Sequence, residues 1–128
     1  MLCPCCSGKT YDQCCGPIHR GLAAPTALAL MRSRYSAYAK GLVEYIIQTT
    51  HPKNPHFQSN KTRWRQEIEH FCRSTEFVRL EILEFGDDWV HFIAHLAQNQ
   101  KPILLQERSS FEKMDGRWLY LNGSTTIQ

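Results

Sequence analysis

Five of the six cysteines lie within the first fifteen residues, at positions 3, 5, 6, 14 and 15. So dense a group of thiols is typical of either a disulfide framework or a metal site. Adjacent cysteines have Cα atoms about 3.8 Å apart, whereas an unstrained disulfide needs about 4.4–6.8 Å. We therefore expect no disulfide within Cys5–Cys6 or within Cys14–Cys15. Pairs between the two groups, such as Cys3–Cys14, stay open on geometry alone.

The residues before the first cysteine argue against disulfides of any kind. Met1 and Leu2 include no charged leader, apolar run or cleavage site of the type that directs export. We therefore expect a cytoplasmic protein, in a reducing compartment where thiols bind metal instead of oxidising. The expected metal is zinc, which four thiolates coordinate tetrahedrally.

The spacing of the cysteines predicts which of them bind the metal. Cys3 and Cys5 point to the same side of an extended backbone, and Pro4 favours that conformation. A turn at Ser7-Gly8 then reverses the chain and allows the second pair of cysteines to close the site. The predicted ligands are Cys3, Cys5, Cys14 and Cys15. Four protein ligands leave no open coordination position, so the expected zinc ion is structural and not catalytic.

This segment resembles the SEC-C zinc motif, a small zinc-binding tail of the bacterial preprotein translocase motor. The resemblance rests on the string CPCCSG at residues 3–8, a basic and aromatic stretch, and the string CCG at residues 14–16. It implies the same four ligands. The motif usually has glycine where this chain has Cys6, so Cys6 could replace Cys5 as a ligand. The resemblance also implies that a protein or nucleic-acid partner docks on this segment.

Length and composition indicate one globular domain beside the cysteine segment. Of the 128 residues, 42% are hydrophobic and 21% are charged, which is typical of a folded protein. No apolar run approaches the ~20 residues that a membrane span requires, so no membrane partner is expected. Residues 1–65 carry nine Lys or Arg against two Asp or Glu, yet the net charge of the chain is only +3. A basic face is plausible, but the balance is not that of a dedicated nucleic-acid-binding domain.

Helices are predicted in the first half of the chain and strands in the second. Residues 16–24 are predicted to be a linker. Apolar residues recur at helical spacing after Pro25-Thr26, with Arg32, Ser36 and Lys40 on another, polar face, and Gly41 is a typical helix stop. Two further helices are predicted over residues 42–49 and 62–72. Alternating patterns predict strands over residues 77–85, 89–97, 103–112 and 117–121. This order predicts an α+β fold in which helices pack on one face of a strongly curved antiparallel sheet and enclose a cavity.

The whole chain is similar to the YchJ-like (UPF0225) family, in which SEC-C motifs are joined to a nuclear-transport-factor-two-like, cone-shaped domain. The resemblance rests on the strings LMRSRYSAY at 30–38, YIIQTTHP at 45–52, ERSSF at 107–111 and GRWLYLNG at 116–123. It implies a zinc motif over residues 1–17, called the clip below. It also implies a cone-shaped domain over residues 18–128, called the cone.

Aromatic and ionisable residues of the cone are the candidates for lining a pocket. The predicted pocket residues are Arg34, Tyr35, Tyr38, Tyr45, His51, Trp64, Glu107 and Trp118. Arg34 lies beside the apolar stripe of its helix. It could belong to a solvated face or anchor an anion, and a buried ion pair with Glu107 is the specific prediction. The aromatic residues of this set could equally form an ordinary core.

His91 and His95 are four residues apart in a predicted strand, so their side chains should face the same side of the sheet. They could provide a general base or a second metal site. A polar outer face of the sheet is the simpler interpretation, because the alternate residues between them are apolar.

The sequence favours a binding protein over an enzyme. Cone folds that host isomerases and dehydratases use an Asp–His pair, whereas the aspartates here occur only at positions 12, 87, 88 and 115, in predicted loops or turns. We therefore assign no catalytic residue and predict a zinc-containing binding or docking protein with a cavity sized for a small molecule. An enzyme acting in that cavity and a purely structural or homodimerising domain stay open as alternatives.

Overall fold

The protein is a curved four-stranded sheet with its helices packed on one face. The structure is a computed structural model that describes residues 1–127. A short 3-10 turn, Tyr11–Gln13, precedes the regular elements. The helices are α1 (Cys15–His19), α2 (Ala27–Lys40), α3 (Val43–Gln48) and α4 (Lys61–Ser74). The strands are β1 (Glu76–Phe85), β2 (Trp89–Gln98), β3 (Lys101–Met114) and β4 (Arg117–Ile127). The α+β architecture predicted from the sequence is confirmed.

Helix α2 lies at the centre of the molecule. It begins after Thr26, whose hydroxyl oxygen accepts a hydrogen bond of 3.0 Å from the backbone N–H of Ala29. It ends at Gly41, whose φ of 71° is the left-handed conformation that terminates helices. The sequence pattern places Ser36 on a polar face, but Ser36 is fully buried. The reason is that α2 contacts the sheet on one side and α1 and α3 on others.

The sheet is an antiparallel meander in the order β1-β2-β3-β4. Register shifts interrupt the pairing of β1 with β2 twice and the pairing of β3 with β4 once. Such bulges bend the strands and increase their twist, which curves the sheet around α2. The inner face of β2 is formed by its alternate buried residues, Val90, Phe92, Ala94 and Leu96.

The end of α3 is tied to the last strand. Thr50 forms an isolated parallel bridge with Tyr120. The backbone N–H of His51 donates to the carbonyl of Tyr120 at 2.9 Å, and the N–H of Tyr120 donates to the carbonyl of Thr49 at 2.8 Å. These bonds fix the position of Tyr120 relative to the helices as well as to the sheet.

Two segments differ from the sequence prediction. Residues 16–24 were expected to form a linker, but the first of them lie in α1. Pro17 is in the first turn of this helix, where a backbone N–H would have no partner within the helix, so proline is tolerated there. Strand β4 runs to Ile127 instead of ending at Leu121, and it pairs with β3 as far as Leu105. The predicted boundary between the clip and the cone, after residue 17, falls inside α1.

The helices of the described residues 1–127 are all too short or too polar to cross a membrane.

Candidate metal centre and ligand cavity

The clip brings its cysteines together by folding back on itself. The backbone N–H of Cys3 donates to the carbonyl of Lys9 at 2.9 Å, and Leu2 forms an antiparallel bridge with Thr10. The reversal between these contacts needs left-handed backbone, which Gly8 adopts with a φ of 88°. The hairpin therefore places the Cys3–Cys5 segment against the turn and helix that carry the second pair of cysteines.

The four predicted ligands form one cluster of sulfur atoms. The Sγ atoms of Cys3, Cys5, Cys14 and Cys15 all lie within 4.8 Å of one another. The Sγ atom of Cys14 is 3.5 Å from that of Cys5 and 3.9 Å from that of Cys15. A tetrahedral ion with Zn–S bonds of about 2.3 Å separates its sulfur ligands by about 3.8 Å. The donor set and its spacing therefore fit a tetrahedral metal ion.

Burial and hydrogen bonding shift the pKa values of the clustered thiols in opposite directions. Hydrogen bonding from the Cys15 thiol, with contributions from Ser7 and Cys14, lowers the pKa of Cys5 to about 4. The same bond and burial raise the pKa of Cys15, and burial raises the pKa of Cys3. The protein alone thus stabilises one thiolate at the expense of its neighbours. A bound cation would stabilise the deprotonated form of its sulfur ligands.

Cys6 lies outside the sulfur cluster. It is exposed and has a φ of 64°, a conformation that turns its side chain away from the other cysteines. Its Sγ atom accepts a hydrogen bond of 3.4 Å from the backbone N–H of Leu80 in β1. The structure thus places Cys6 between the clip and the first strand, outside the group of four sulfur atoms.

The clip is anchored in the core of the cone. Cys3, Cys5 and Cys15 are at most 4% exposed and pack in one cluster with residues of α2 and the sheet. The Nη1 atom of Arg32 donates a hydrogen bond of 2.8 Å to the carbonyl of Cys5. The sulfur cluster is consequently a part of the folded interior.

His19 makes the second link between the clip and α2. Its Nε2 atom lies 2.7 Å from the carbonyl oxygen of Ser33, which can only accept, so Nε2 carries the proton. Its Nδ1 atom therefore accepts from the hydroxyl group of Tyr11 at 2.6 Å. Burial lowers the pKa of His19, which favours this neutral form. Neither His19 nor Tyr11 is among the residues predicted from the sequence, because the helix that carries His19 was read as a linker.

A cavity of about 320 Å³ lies between the helices and the inner face of the sheet. This volume is at the lower end of the range of small-molecule sites. Eight aromatic side chains line it, namely Tyr35, Tyr38, Trp64, Phe71, Phe77, Phe92, Phe111 and Tyr120. Several of them meet edge to face, as Tyr38 and Phe71 do at 5.7 Å and 86°, which is a favourable arrangement for aromatic pairs.

The polar groups of the cavity form a network around Tyr120. The hydroxyl group of Tyr120 donates to Oε2 of Glu107 at 2.8 Å, and the guanidinium carbon of Arg34 lies 4.8 Å from the centre of the Tyr120 ring. Glu107 also accepts hydrogen bonds from the hydroxyl groups of Ser109 and Thr125. The predicted ion pair is wrong: within residues 1–127 no ion pair joins Arg34 to Glu107, and Tyr120 contacts both.

Arg34 donates its hydrogen bonds to α3 and to the two threonines that follow this helix. The Nη1 atom of Arg34 donates to the carbonyl of Ile46 at 3.0 Å, to Oγ1 of Thr49 at 2.7 Å and to Oγ1 of Thr50 at 3.2 Å. Arg34 is only 8% exposed. These bonds compensate part of the penalty of burying its charge and hold α2 against α3.

Tyr35 places a polar atom in the cavity wall without a partner. Its side chain is 5% exposed, and its hydroxyl group makes no hydrogen bond to any described residue. Burial raises its pKa, so the hydroxyl group keeps its proton in neutral solution. A buried hydroxyl group of this kind is destabilising unless a water molecule or a ligand meets it.

Three of the eight predicted pocket residues lie away from the cavity. Tyr45 donates or accepts a 2.6 Å bond with the hydroxyl group of Ser33 and packs on His19. The Nε2 atom of His51 lies 2.9 Å from Oε1 of Glu112. Trp118 packs against the core cluster that includes the clip cysteines. The structure brings together the other five, namely Arg34, Tyr35, Tyr38, Trp64 and Glu107, as lining residues of one cavity.

Gly123 completes the network, and sequence reasoning missed its role. A Cβ atom at this position would come far inside van der Waals contact with the Tyr120 hydroxyl group and the Glu107 carboxylate. Glycine is therefore required for these two side chains to meet. The signal in the sequence was the string GRWLYLNG, which ends in Asn122-Gly123. Because the last strand was predicted to end at Leu121, Gly123 was given no place in the sheet.

His91 and His95 lie together on the outer face of the sheet, half buried. The Nε2 atom of His95 is 3.1 Å from Oε1 of Glu81, and that of His91 is 2.9 Å from Nε2 of Gln106. Their separate partners indicate a polar outer face, as the simpler interpretation of the sequence suggests.

Comparisons with known proteins agree with this architecture. The family model described as YchJ, middle NTF2-like domain, matches residues 26–123. A UPF0225 protein of Serratia proteamaculans is 38% identical over 132 residues, covering 96% of this chain and 82% of that protein. A UPF0225 protein of Deinococcus radiodurans is 36% identical over 124 residues, covering 95% of this chain and 88% of that protein.

Solved structures show the same likeness. A SEC-C motif containing protein from Rhodopseudomonas palustris superimposes with a TM-score of 0.79 at 35% identity, covering 97% of this chain and 98% of that chain. A SEC-C motif containing protein from Psychrobacter arcticus gives a TM-score of 0.74 at 25% identity, covering 98% of this chain and 83% of that chain. An NTF2-like protein from Cytophaga hutchinsonii, at 14% identity and a TM-score of 0.58, shares the fold alone.

Proposed function

The chain belongs to the YchJ-like (UPF0225) family, and on that premise we propose that it is a small-molecule-binding protein whose clip holds a structural zinc ion. The observation that carries the proposal is the cavity of about 320 Å³, which combines an aromatic wall with a few buried polar groups. Ligand sites typically have this composition, with apolar surface for affinity and polar groups for orientation.

The sulfur cluster supports zinc as the resident metal. Four thiolate ligands at tetrahedral spacing suit zinc, and a site with four protein ligands has no position left for a substrate. A bound zinc ion would supply charge compensation for the thiolates and no reaction chemistry. The burial of Cys3, Cys5 and Cys15 supports a role as a staple that joins the clip to α2 and the sheet.

The polar network supports binding more than catalysis. A general base needs free lone pairs directed at the substrate, but the Glu107 carboxylate already accepts from three hydroxyl groups. The two histidines on the outer face of the sheet are outside the cavity, and the one that lines it, His56, is exposed. What the cavity offers a ligand is surface, shape and hydrogen-bond donors.

The proposal is tested by filling the cavity. Ala94 lies on the cavity wall and Ala97 does not, although both are in β2. We expect Ala94→Leu to abolish the binding of two-ring aromatic probes, measured by isothermal titration calorimetry, while the matched variant Ala97→Leu binds like the parent protein. The probes are 2-naphthoate, 2-naphthamide and 2-naphthylmethylammonium.

The result that would overturn the proposal is equally concrete. If none of the three probes binds the zinc-loaded protein, or if all bind the Ala94→Leu variant as tightly as the parent, the cavity is not a ligand site of this kind. Metal analysis of the same preparation should give one zinc ion per chain.

A further inference from the structure

We infer that the cavity selects a ligand with one or two aromatic rings and a single anionic group, such as a carboxylate. The inference rests on the proposed function, because it names the ligand class of the same cavity. It follows from the balance of hydrogen-bond donors and acceptors that the cavity wall presents.

Arg34 is the first unsatisfied donor. All the hydrogen bonds that it makes within residues 1–127 come from Nη1, to one carbonyl and two hydroxyl oxygens. A guanidinium group carries five N–H donors arranged in a fork that matches a carboxylate or phosphate. The Nε and Nη2 groups of Arg34, which lines the cavity, are therefore available to an anion.

Glu107 does not neutralise that donor. Its carboxylate is not paired with Arg34 in the described part of the chain, and three hydroxyl groups already bind it. Tyr120 supplies one of these hydroxyl groups and packs its ring against the Arg34 guanidinium. The acceptor capacity of the Glu107 carboxylate is thus largely used internally, whereas the Arg34 guanidinium group keeps free donors.

Tyr35 is the second unsatisfied donor. Its hydroxyl group is buried in the cavity wall and has no partner among residues 1–127. Since it follows Arg34 directly on α2, both side chains are positioned by one rigid helix. Consecutive residues of a helix point about 100° apart, so the two donors are not placed to share one ligand group, and the charged one, Arg34, is the donor that an anion would meet.

The size and composition of the wall specify the rest of the ligand. An apolar cavity of about 150 Å³ holds one benzene molecule, so a cavity of about 320 Å³ has room for two fused rings. The aromatic wall offers faces and edges on which such rings pack. A carboxylate on a ring system of this size would pair with the Arg34 guanidinium group and fill the apolar space at once.

The experiment compares the three naphthalene probes on the zinc-loaded full chain. They have nearly the same shape and differ in the charge of one substituent. We expect 2-naphthoate to bind about tenfold more tightly than 2-naphthamide, and 2-naphthylmethylammonium to bind most weakly. Binding of 2-naphthamide or of 2-naphthylmethylammonium at least as tight as that of 2-naphthoate would overturn the anionic selectivity, while leaving the proposed function intact. Failure of all three would instead remove the proposed function.

Two variants test the donors separately. Tyr35→Phe removes only the unpartnered, uncharged hydroxyl group, and we expect it to change the binding of 2-naphthoate and 2-naphthamide by the same factor. Its matched control is Tyr45→Phe, which removes a hydroxyl group outside the cavity and should leave the affinity unchanged. Arg34→Lys keeps the charge but loses the fork, and we expect it to reduce the preference for 2-naphthoate over 2-naphthamide. An unchanged preference for 2-naphthoate over 2-naphthamide in Arg34→Lys would overturn the inference.

Discussion

The hydroxyl group of Tyr120 donates a hydrogen bond of 2.8 Å to Oε2 of Glu107, while the ring of the same tyrosine packs against the guanidinium group of Arg34. One aromatic side chain therefore connects the buried cation of α2 to the carboxylate of β3. The bridge between Thr50 and Tyr120 holds that side chain in place from the other direction. This connection carries the first two predictions.

Replacing Tyr120 by phenylalanine should destabilise the protein by about 1–3 kcal/mol, because the Glu107 carboxylate loses a buried hydrogen-bond donor. Urea denaturation monitored by circular dichroism measures the effect. The matched substitution is Tyr35→Phe, which removes a buried hydroxyl group that has no partner, so the free energy of unfolding should stay the same or rise. Equal losses in both variants would contradict the assignment of the bond to Tyr120.

Gly123→Ala should be destabilising by about 1–3 kcal/mol, because the added methyl group would overlap the Tyr120 hydroxyl group and the Glu107 carboxylate. The neighbouring variant Ser124→Ala lies on the exposed outer face and should change stability by less than about 0.5 kcal/mol. Thermal unfolding of the two variants provides the comparison. A Gly123→Ala protein as stable as the parent would show that the network rearranges freely.

Cys14→Ser should remove the metal, whereas Cys6→Ser should retain it, because only Cys14 belongs to the sulfur cluster. We expect zinc analysis to give one ion per chain for the parent and for Cys6→Ser. For Cys14→Ser, or for the parent treated with a chelator, we expect a fall in Tm of at least about 10 °C, equivalent to about 3 kcal/mol in a domain of this size. Loss of zinc in Cys6→Ser would mean that Cys6 is a ligand after all.

The protein should resist alkali and then unfold as its tyrosines ionise. Burial raises the pKa of all five tyrosines. In the unfolded chain these groups ionise near pH 10, so the folded form gains stability from them below that pH and loses it as the pH rises further. We expect the absorbance of tyrosinate to appear later than in a urea-unfolded sample, together with the loss of circular dichroism. Coincident titration curves for folded and unfolded samples would contradict this prediction.

The cysteine cluster could be predicted from the sequence because its geometry is local. All four predicted ligands lie within residues 3–15, where alternation along an extended segment and one glycine turn determine which sulfur atoms can meet. The alternating pattern of β2 was equally informative, since one face of that strand is buried along its whole length.

The polar network could not be predicted because it depends on contacts between distant segments. The partner of Glu107 was predicted to be Arg34, but the register of β3 with β4 brings Tyr120 and Thr125 to the carboxylate instead. Strand β4 was predicted to end at Leu121, since the string after it is rich in glycine, serine and threonine. Its pairing with a longer β3 overrides that local preference.

The contact between Cys6 and Leu80 has a consequence for the solubility of the protein. Strand β1 is at the margin of the sheet, where unpaired backbone groups can recruit another chain and start aggregation, and it exposes the side chains of Val78, Leu83 and Phe85. By occupying the N–H of Leu80, the folded clip shields part of that margin. Unfolding of the clip on loss of a bound metal would therefore also expose an aggregation-prone edge strand.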